Sequence, residues 1–181
     1  MTTTQEQLKR EFHHLLAASG RSPEIPDASD VYGWLVGSWE LDVYRYVVDV
    51  ADRHIKGEVH AAWVLEGRAV QDVWIMPRVS DRPSYQDRVT NMYGTTLRIW
   101  DPAIQAWRII WRNPVTGHSE EQIGRRNGND IVQVGARADG TPTRWMFTEI
   151  TRDSFHWTGE SLNPDGKTWA LGGEFRGRRV R

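Results

Sequence analysis

The sequence contains no cysteine, and this absence excludes several kinds of site. A chain without thiols forms no disulfide bond, no thiolate metal site and no cysteine nucleophile. Proteins without disulfides are typical of reducing compartments, so we expect a cytoplasmic protein.

The chain also lacks a long apolar segment and an excess of charge of either sign. No stretch approaches the roughly 18 apolar residues of a membrane span, and residues 1–14 lack the apolar core of a signal peptide. The 23 lysines and arginines oppose 24 aspartates and glutamates, so no overall field attracts a polyanion. We therefore predict neither nucleic-acid nor membrane partners, while a homodimer stays open.

Tryptophan is the residue in excess, with ten copies in a chain whose mean hydropathy is −0.61. Large rings fill cores, but tryptophan is seldom buried completely and its indole N–H needs a partner. So many rings in a polar chain favour an aromatic wall that faces a small molecule, with simple core filling as the alternative.

The hydrophobic periodicity changes once along the chain. Residues 4–18 have helical spacing, with Thr4 and Gln7 as a capping box, and predict one amphipathic helix. Its apolar positions are Leu8, Phe12, Leu15 and Leu16. Two prolines then break the helix, so residues 1–30 are predicted to be a helix and a proline-containing linker. We expect the helix to lie against the following domain as a plug or lid.

Beyond Trp34 the period becomes two. About ten segments rich in valine, isoleucine, threonine, tyrosine and tryptophan alternate with short turns such as Asn127-Gly128. This pattern predicts an all-β domain over residues 31–181, an antiparallel up-and-down β-barrel of about ten strands. Closure of the barrel would leave no exposed sheet edge. Residues 77–92 form the one long polar connection and are the predicted entrance flap.

Three stretches carry a resemblance to a known family: LVGSWELDV, YGTTLRIWDPAIQAWRIIW and RWMFTEITRDSFHWTGESLNPDGKTW. They are similar to small bacterial calycin-like (lipocalin-like) β-barrels, whose functions are largely unassigned. Gly37-Ser38-Trp39 also resembles the G-x-W signature of lipocalins, in which the tryptophan closes one barrel end. The resemblance covers about residues 31–181 and implies the barrel fold. It brings no catalytic residues.

The hairpin around Glu66-Gly67 gives the clearest inward face. A two-residue turn pairs Trp63 with Val70, and alternation then places seven side chains on one face. They are Val59, Ala61, Trp63, Val70, Asp72, Trp74 and Met76. Asp72 is the one charged member, and a carboxylate there needs a hydrogen bond, a cation or a raised pKa. We predict that Asp72 is either a catalytic acid or base or the structural partner of an arginine or a tryptophan N–H.

Two further groups depend on strand register. Trp107 and Trp111 join the apolar members of that face as the predicted ligand-binding set, namely Val59, Trp63, Val70, Trp74, Met76, Trp107 and Trp111. Arg98, Arg108 and Arg112 would bind a carboxylate or phosphate if they point inward. A one-residue uncertainty in the turn after Asp101 reverses every side chain, so both orientations stay open.

Glu149 and His156 are the second candidate catalytic pair. A two-residue turn places them opposite each other, whereas a three-residue turn puts Glu149 with Phe155 and Trp157. A histidine oriented by a glutamate is a competent general base. A surface ion pair has the same pattern and is the favoured interpretation.

The six histidines are dispersed without metal-ligand spacing, so we predict no metal site and no cofactor. Some calycin-like barrels hold haem through one histidine, and His156 or His118 keeps haem as a minor alternative.

The main functional hypothesis is the binding of a small apolar, aromatic or terpenoid-like molecule in a tryptophan-lined cavity. The alternative is a cofactor-independent cyclase, isomerase or hydratase in which Asp72 or His156 moves the proton. The sequence does not separate the two.

Overall fold

The computed structural model describes residues 4–84 and 90–181. One α-helix, α1 (Gln5–Leu16), precedes eleven strands. The strands are β1 (Gly37–Tyr46), β2 (Val48–Asp49), β3 (Lys56–Val64), β4 (Ala69–Met76), β5 (Met92–Asp101), β6 (Ala106–Asn113), β7 (His118–Asn127), β8 (Asp130–Ala136), β9 (Pro142–Thr148), β10 (Ser154–Leu162) and β11 (Trp169–Arg179).

The strands form one closed antiparallel sheet. From β3 onward each strand pairs with the next, β3 pairs with β1, and β11 returns to pair with β1. The short β2 pairs with β1 outside this ring, so ten strands make up the barrel. The predicted up-and-down barrel is confirmed, because period-two alternation buries one face of each strand and short turns connect neighbours.

The barrel has two ends that differ in construction. The β3–β4, β5–β6, β7–β8 and β9–β10 turns share one end, which we call the closed end. The remaining connections share the opposite, open end. The sheet ladder pairs Trp63 with Val70 near the closed end, in the predicted register.

The segment before β1 fills the closed end. Tyr32 and Leu35 are fully buried and Ile25 is 2% exposed, all in the barrel core. Trp107 Nε1 donates to the Ser29 carbonyl over 2.9 Å, which ties this segment to the barrel. Ile25, in the predicted helix and linker of residues 1–30, therefore belongs to the core. The segment before β1, and not the predicted helix, plugs the barrel.

Trp39 of the G-x-W triplet occupies the same end. Its ring is fully buried, and its Nε1 donates to the Leu35 carbonyl over 2.7 Å. The Arg179 guanidinium carbon lies 4.1 Å from the ring centroid, and Arg179 also donates to the carbonyls of Trp34 and Val36. The first and last strands are joined here, which is consistent with a calycin-like fold.

Helix α1 begins at the predicted capping box, with Gln7 N donating to the Thr4 hydroxyl over 3.3 Å. The expectation that it lies against the barrel is wrong. Its apolar side chains Leu8, Phe12 and Leu15 are 54%, 62% and 72% exposed. The chain joins the barrel at the end of the helix, where Leu65 N donates to the Leu16 carbonyl over 3.0 Å and Ala18 N donates to the Trp63 carbonyl over 2.9 Å at the closed end. The helix therefore does not cover the open end. It is also too short to cross a bilayer, and no other helix in the described part of the chain could do so.

The connection between β4 and β5 begins and ends at the open end. Residues 85–89 of the predicted flap lie outside the described residues, so the flap stays a prediction.

Candidate functional site

A cavity of about 320 Å³ occupies the open half of the barrel. Six aromatic side chains line it: Tyr46, Trp74, Trp111, Trp145, Trp157 and Phe175. Polar and small residues complete the lining, including Thr96, Arg98, His118, Glu120, Arg137, Glu160, Gly159 and Gly173. The volume lies at the small end of the roughly 300–1,000 Å³ typical of ligand pockets.

The tryptophan rings meet at steep angles. Trp111 and Trp145 have ring centroids 6.2 Å apart at 79°, and Trp145 and Trp157 are 5.5 Å apart at 65°. Within the described residues, none of these three indole N–H groups forms a hydrogen bond. The rings therefore form a concave aromatic corner, which we call the tryptophan corner (Trp111, Trp145 and Trp157).

Three glycines make room for this corner. A Cβ on Gly94 would lie 2.4 Å from the Trp111 ring, and Cβ atoms on Gly159 and Gly173 would lie 2.6 Å and 2.9 Å from the Trp157 ring. Real Cβ atoms essentially never make contacts shorter than 3.0 Å, so a side chain at any of these positions would displace a ring. The close approach of ring to backbone leaves volume in the middle of the barrel.

Beside the cavity, Asp72 and Arg98 form a buried ion pair. Asp72 is fully buried and accepts from Arg98 Nη1 and from the backbone N–H of Thr96, the latter over 3.0 Å. Arg98 is 1% exposed and lies over the Tyr32 ring, 5.1 Å from its centroid. The pair balances its own charge, and Arg98, not Asp72, contributes to the cavity lining.

A second buried carboxylate, Glu120, is held by neutral donors. One of its oxygens accepts from the Thr143 hydroxyl over 2.7 Å and from Gln122 Nε2 over 3.0 Å. The other oxygen lies 3.2 Å from His118 Nε2. The Glu120 side chain is 2% exposed and that of His118 is 39% exposed, so the pair runs from the interior to the mouth.

The Glu120 network continues toward the closed end. Gln133 Nε2 donates to Gln122 over 3.2 Å, and the Tyr32 hydroxyl donates to Gln133 over 3.0 Å. Burial raises the pKa of Tyr32 far above its ordinary value, so the phenol stays a donor. This chain of side chains links the cavity to the plug.

Glu160 and Tyr46 lie nearer the mouth. Glu160 is paired with Arg144, whose guanidinium carbon lies 4.2 Å from the centre of the Trp169 ring. Burial raises the pKa of Tyr46, which accepts from Asn113 Nδ2 over 3.2 Å.

His156 and Glu149 lie on the outer face of the barrel. The ladder pairs Thr148 with His156, which is the three-residue-turn register. Glu149 adopts a positive φ of 51°, and its carboxylate still reaches to 3.8 Å from His156 Nδ1. His156 Nε2 lies 2.9 Å from Glu174. A hydrogen bond from Arg176 lowers the pKa of Glu149, so this cluster is an ion-pair network on the surface.

The structure divides the predicted ligand-binding set. Trp74 and Trp111 line the cavity. Val59, Trp63, Val70, Met76 and Trp107 are buried in the core outside it. Among the three arginines, Arg98 points inward, whereas Arg108 and Arg112 are about half exposed and pair with Asp101 and Glu121.

The residues missed by sequence reasoning come mainly from the second half of the chain. Trp145 and Phe147 lie two residues apart in β9, and Phe155 and Trp157 lie two residues apart in β10. This period-two spacing alone could have placed these side chains on an inward face. Glu120 carries no comparable signal, since an acidic residue in a strand usually faces solvent.

The described residues contain no group of three or more histidine, aspartate or glutamate side chains that could hold a metal ion. No protein-family model matches the sequence, and no match was found among the curated proteins.

Proposed function

We propose that this protein binds a small apolar, aromatic or terpenoid-like molecule in the cavity of the open half. The observation that carries the proposal is the cavity of about 320 Å³ walled by six aromatic side chains in an otherwise packed barrel. Apolar walls with a few placed polar groups are typical of small-molecule sites. The unpaired indole N–H groups of the tryptophan corner add donors for an oxygen atom on the ligand.

Tryptophan fluorescence provides the test. Titration with a panel of aromatic and terpenoid compounds should give saturable quenching, and Trp157→Phe should weaken the binding of each compound that binds. Trp100→Phe is the matched control, because Trp100 packs against Trp107 outside the cavity. Equal loss in both variants, or no saturable quenching, would contradict the proposal.

A second candidate function is supported by the His118–Glu120 pair, which places an oriented histidine in the cavity lining. In this version the protein is a cofactor-independent cyclase, isomerase or hydratase. His118 takes the proton and Glu120 stabilises the resulting imidazolium. Asp72, His156 and Glu149 are less suited, since Asp72 is engaged by Arg98 and the other two face outward.

Recovery of the bound compound separates the two functions. A carrier returns its ligand unchanged, whereas an enzyme converts it with a pH-dependent rate that His118→Asn reduces.

Haem does not fit the arrangement, because His156 lies on the outer face and His118 Nε2 is engaged by Glu120.

The proposal includes membership in the small bacterial calycin-like family. It also includes a cytoplasmic location, which the absence of cysteine supports.

A further inference from the structure

The charged side chains around the cavity are unequally compensated. Arg98 is paired with Asp72, and Glu160 with Arg144. Within the described residues, the carboxylate of Glu120 has no lysine or arginine nitrogen within 4 Å, and its one ionisable partner is the partly exposed His118. The buried charge without a permanent counter-ion in this cavity is therefore a negative one.

Glu120 lies next to the tryptophan corner. The β6–β7 ladder pairs it directly with Trp111, and Trp111 in turn packs at 79° against Trp145. The negative faces of aromatic rings attract cations, most strongly for tryptophan. Rings at steep angles offer such faces from more than one direction, and a nearby carboxylate adds to the same attraction in a medium of low dielectric constant.

We propose that the ligand carries an ammonium group, which occupies the tryptophan corner under the field of Glu120, with its apolar body against the remaining aromatic walls. This inference rests on the proposed function, because it specifies the charge of the molecule bound in the same cavity. The ammonium need not touch the carboxylate, because one of its oxygens already accepts from Thr143 and Gln122 and the other lies beside His118. It supplies the positive charge that these neutral donors do not.

An anionic ligand fits the same charges poorly. The Arg98 charge is neutralised by Asp72 before any ligand arrives. Arg137 also lines the cavity, but its side chain is exposed, where water and salt screen its charge. A carboxylate entering the interior would meet Glu120, and the described residues offer no free buried cation to offset the repulsion.

The experiment compares three probes of nearly the same shape on the whole protein by isothermal titration calorimetry. Benzyltrimethylammonium carries the cation, neopentylbenzene is its neutral isostere, and 3-phenylpropanoate carries an anion. We expect the cation to bind at least about tenfold more tightly than the neutral isostere, and the anion more weakly than either.

Glu120→Gln removes the charge and keeps the size of the side chain, so the advantage of the cation should fall to about threefold or less. Glu121→Gln is the matched control, because the neighbouring Glu121 faces outward and pairs with Arg112. It should leave the ratio of the two affinities unchanged.

The outcomes separate the two proposals. If the neutral probe binds and the cation shows no advantage in the wild-type protein, the ammonium inference is overturned and the binding function stands. If none of the three probes binds, the binding function itself is contradicted. If Glu120→Gln does not fold, the ratio measured in the wild-type protein still decides. An unchanged ratio in a folded Glu120→Gln overturns the role of Glu120.

Discussion

The two halves of the barrel use tryptophan differently. In the closed half, Trp39 and Trp107 donate their indole N–H groups to the carbonyls of Leu35 and Ser29. In the open half, the rings of the tryptophan corner form no hydrogen bond within the described residues and surround a cavity. A ring whose polar atom is satisfied inside the protein stabilises the fold, whereas a ring with an unused donor can serve a ligand. Substitution of Trp39 or Trp107 should therefore reduce stability, and substitution in the tryptophan corner should reduce binding.

The largest effect on stability is expected from Asp72→Asn. The substitution keeps an acceptor for the Thr96 N–H but leaves the charge of Arg98 buried and unpaired. We expect a loss of about 3 to 5 kcal/mol in the free energy of unfolding, measured by urea denaturation. Asp101→Asn is the control, since its partner Arg108 is more than half exposed and water screens the pair, so the loss of stability should be much smaller. A stability within 1 kcal/mol of wild type for Asp72→Asn would mean that the pair contributes little.

Trp39→Phe and Trp157→Phe compare the two halves directly. Loss of the Trp39 indole leaves the buried Leu35 carbonyl without its donor and should cost about 1 to 3 kcal/mol in the free energy of unfolding. Trp157→Phe breaks no hydrogen bond and should cost less stability, but it should weaken ligand binding. Chemical denaturation and fluorescence titration of both variants check the contrast. The reverse pattern would contradict the assignment of Trp39 to stability and of Trp157 to ligand binding.

Alkaline pH should destabilise the barrel through its buried tyrosines. Burial raises the pKa of Tyr32 and Tyr46, so the folded protein keeps them neutral when the unfolded chain begins to ionise. The contribution of these tyrosines to the free energy of unfolding is complete below about pH 10. Above that pH it falls by at most about 1.4 kcal/mol per pH unit for each tyrosine. Unfolding measured from pH 9 to 11 should show a shallower fall in Tyr32→Phe. The exposed Tyr44 gives the control, and an equal change in Tyr44→Phe would rule out this cause.

The smallest effect is expected from Gly173→Ala in the open half. The new methyl group would lie 2.9 Å from the Trp157 ring and push it into the cavity. We expect a loss of about 1 kcal/mol in binding free energy, roughly a fivefold weaker Kd. Gly172→Ala is the matched neighbour, because its methyl group would meet its nearest atom at an ordinary 3.6 Å. Equal affinities of the two variants would argue against the seating of Trp157 on Gly173.

Several features of the fold follow from local sequence patterns. Alternation and turn residues identified the barrel strands, and the capping box located the start of α1. The β3–β4 register was predictable because a short turn links Trp63 to Val70. The location of α1 was not predictable, since an apolar stripe indicates that a helix has a face to bury but not which surface, if any, lies under it.

The barrel and the inward orientation of Asp72 were predictable from the amino-acid sequence, because both depend on period-two alternation and on interactions between neighbours in the chain. The pairing of Asp72 with Arg98 and the arrangement of four tryptophans from different strands around one cavity became visible only in the folded barrel. These outcomes depend on which strands become neighbours in the closed sheet. They also depend on which half of the barrel is filled by the segment before β1. Such contacts join residues far apart in the chain, and no local pattern specifies them.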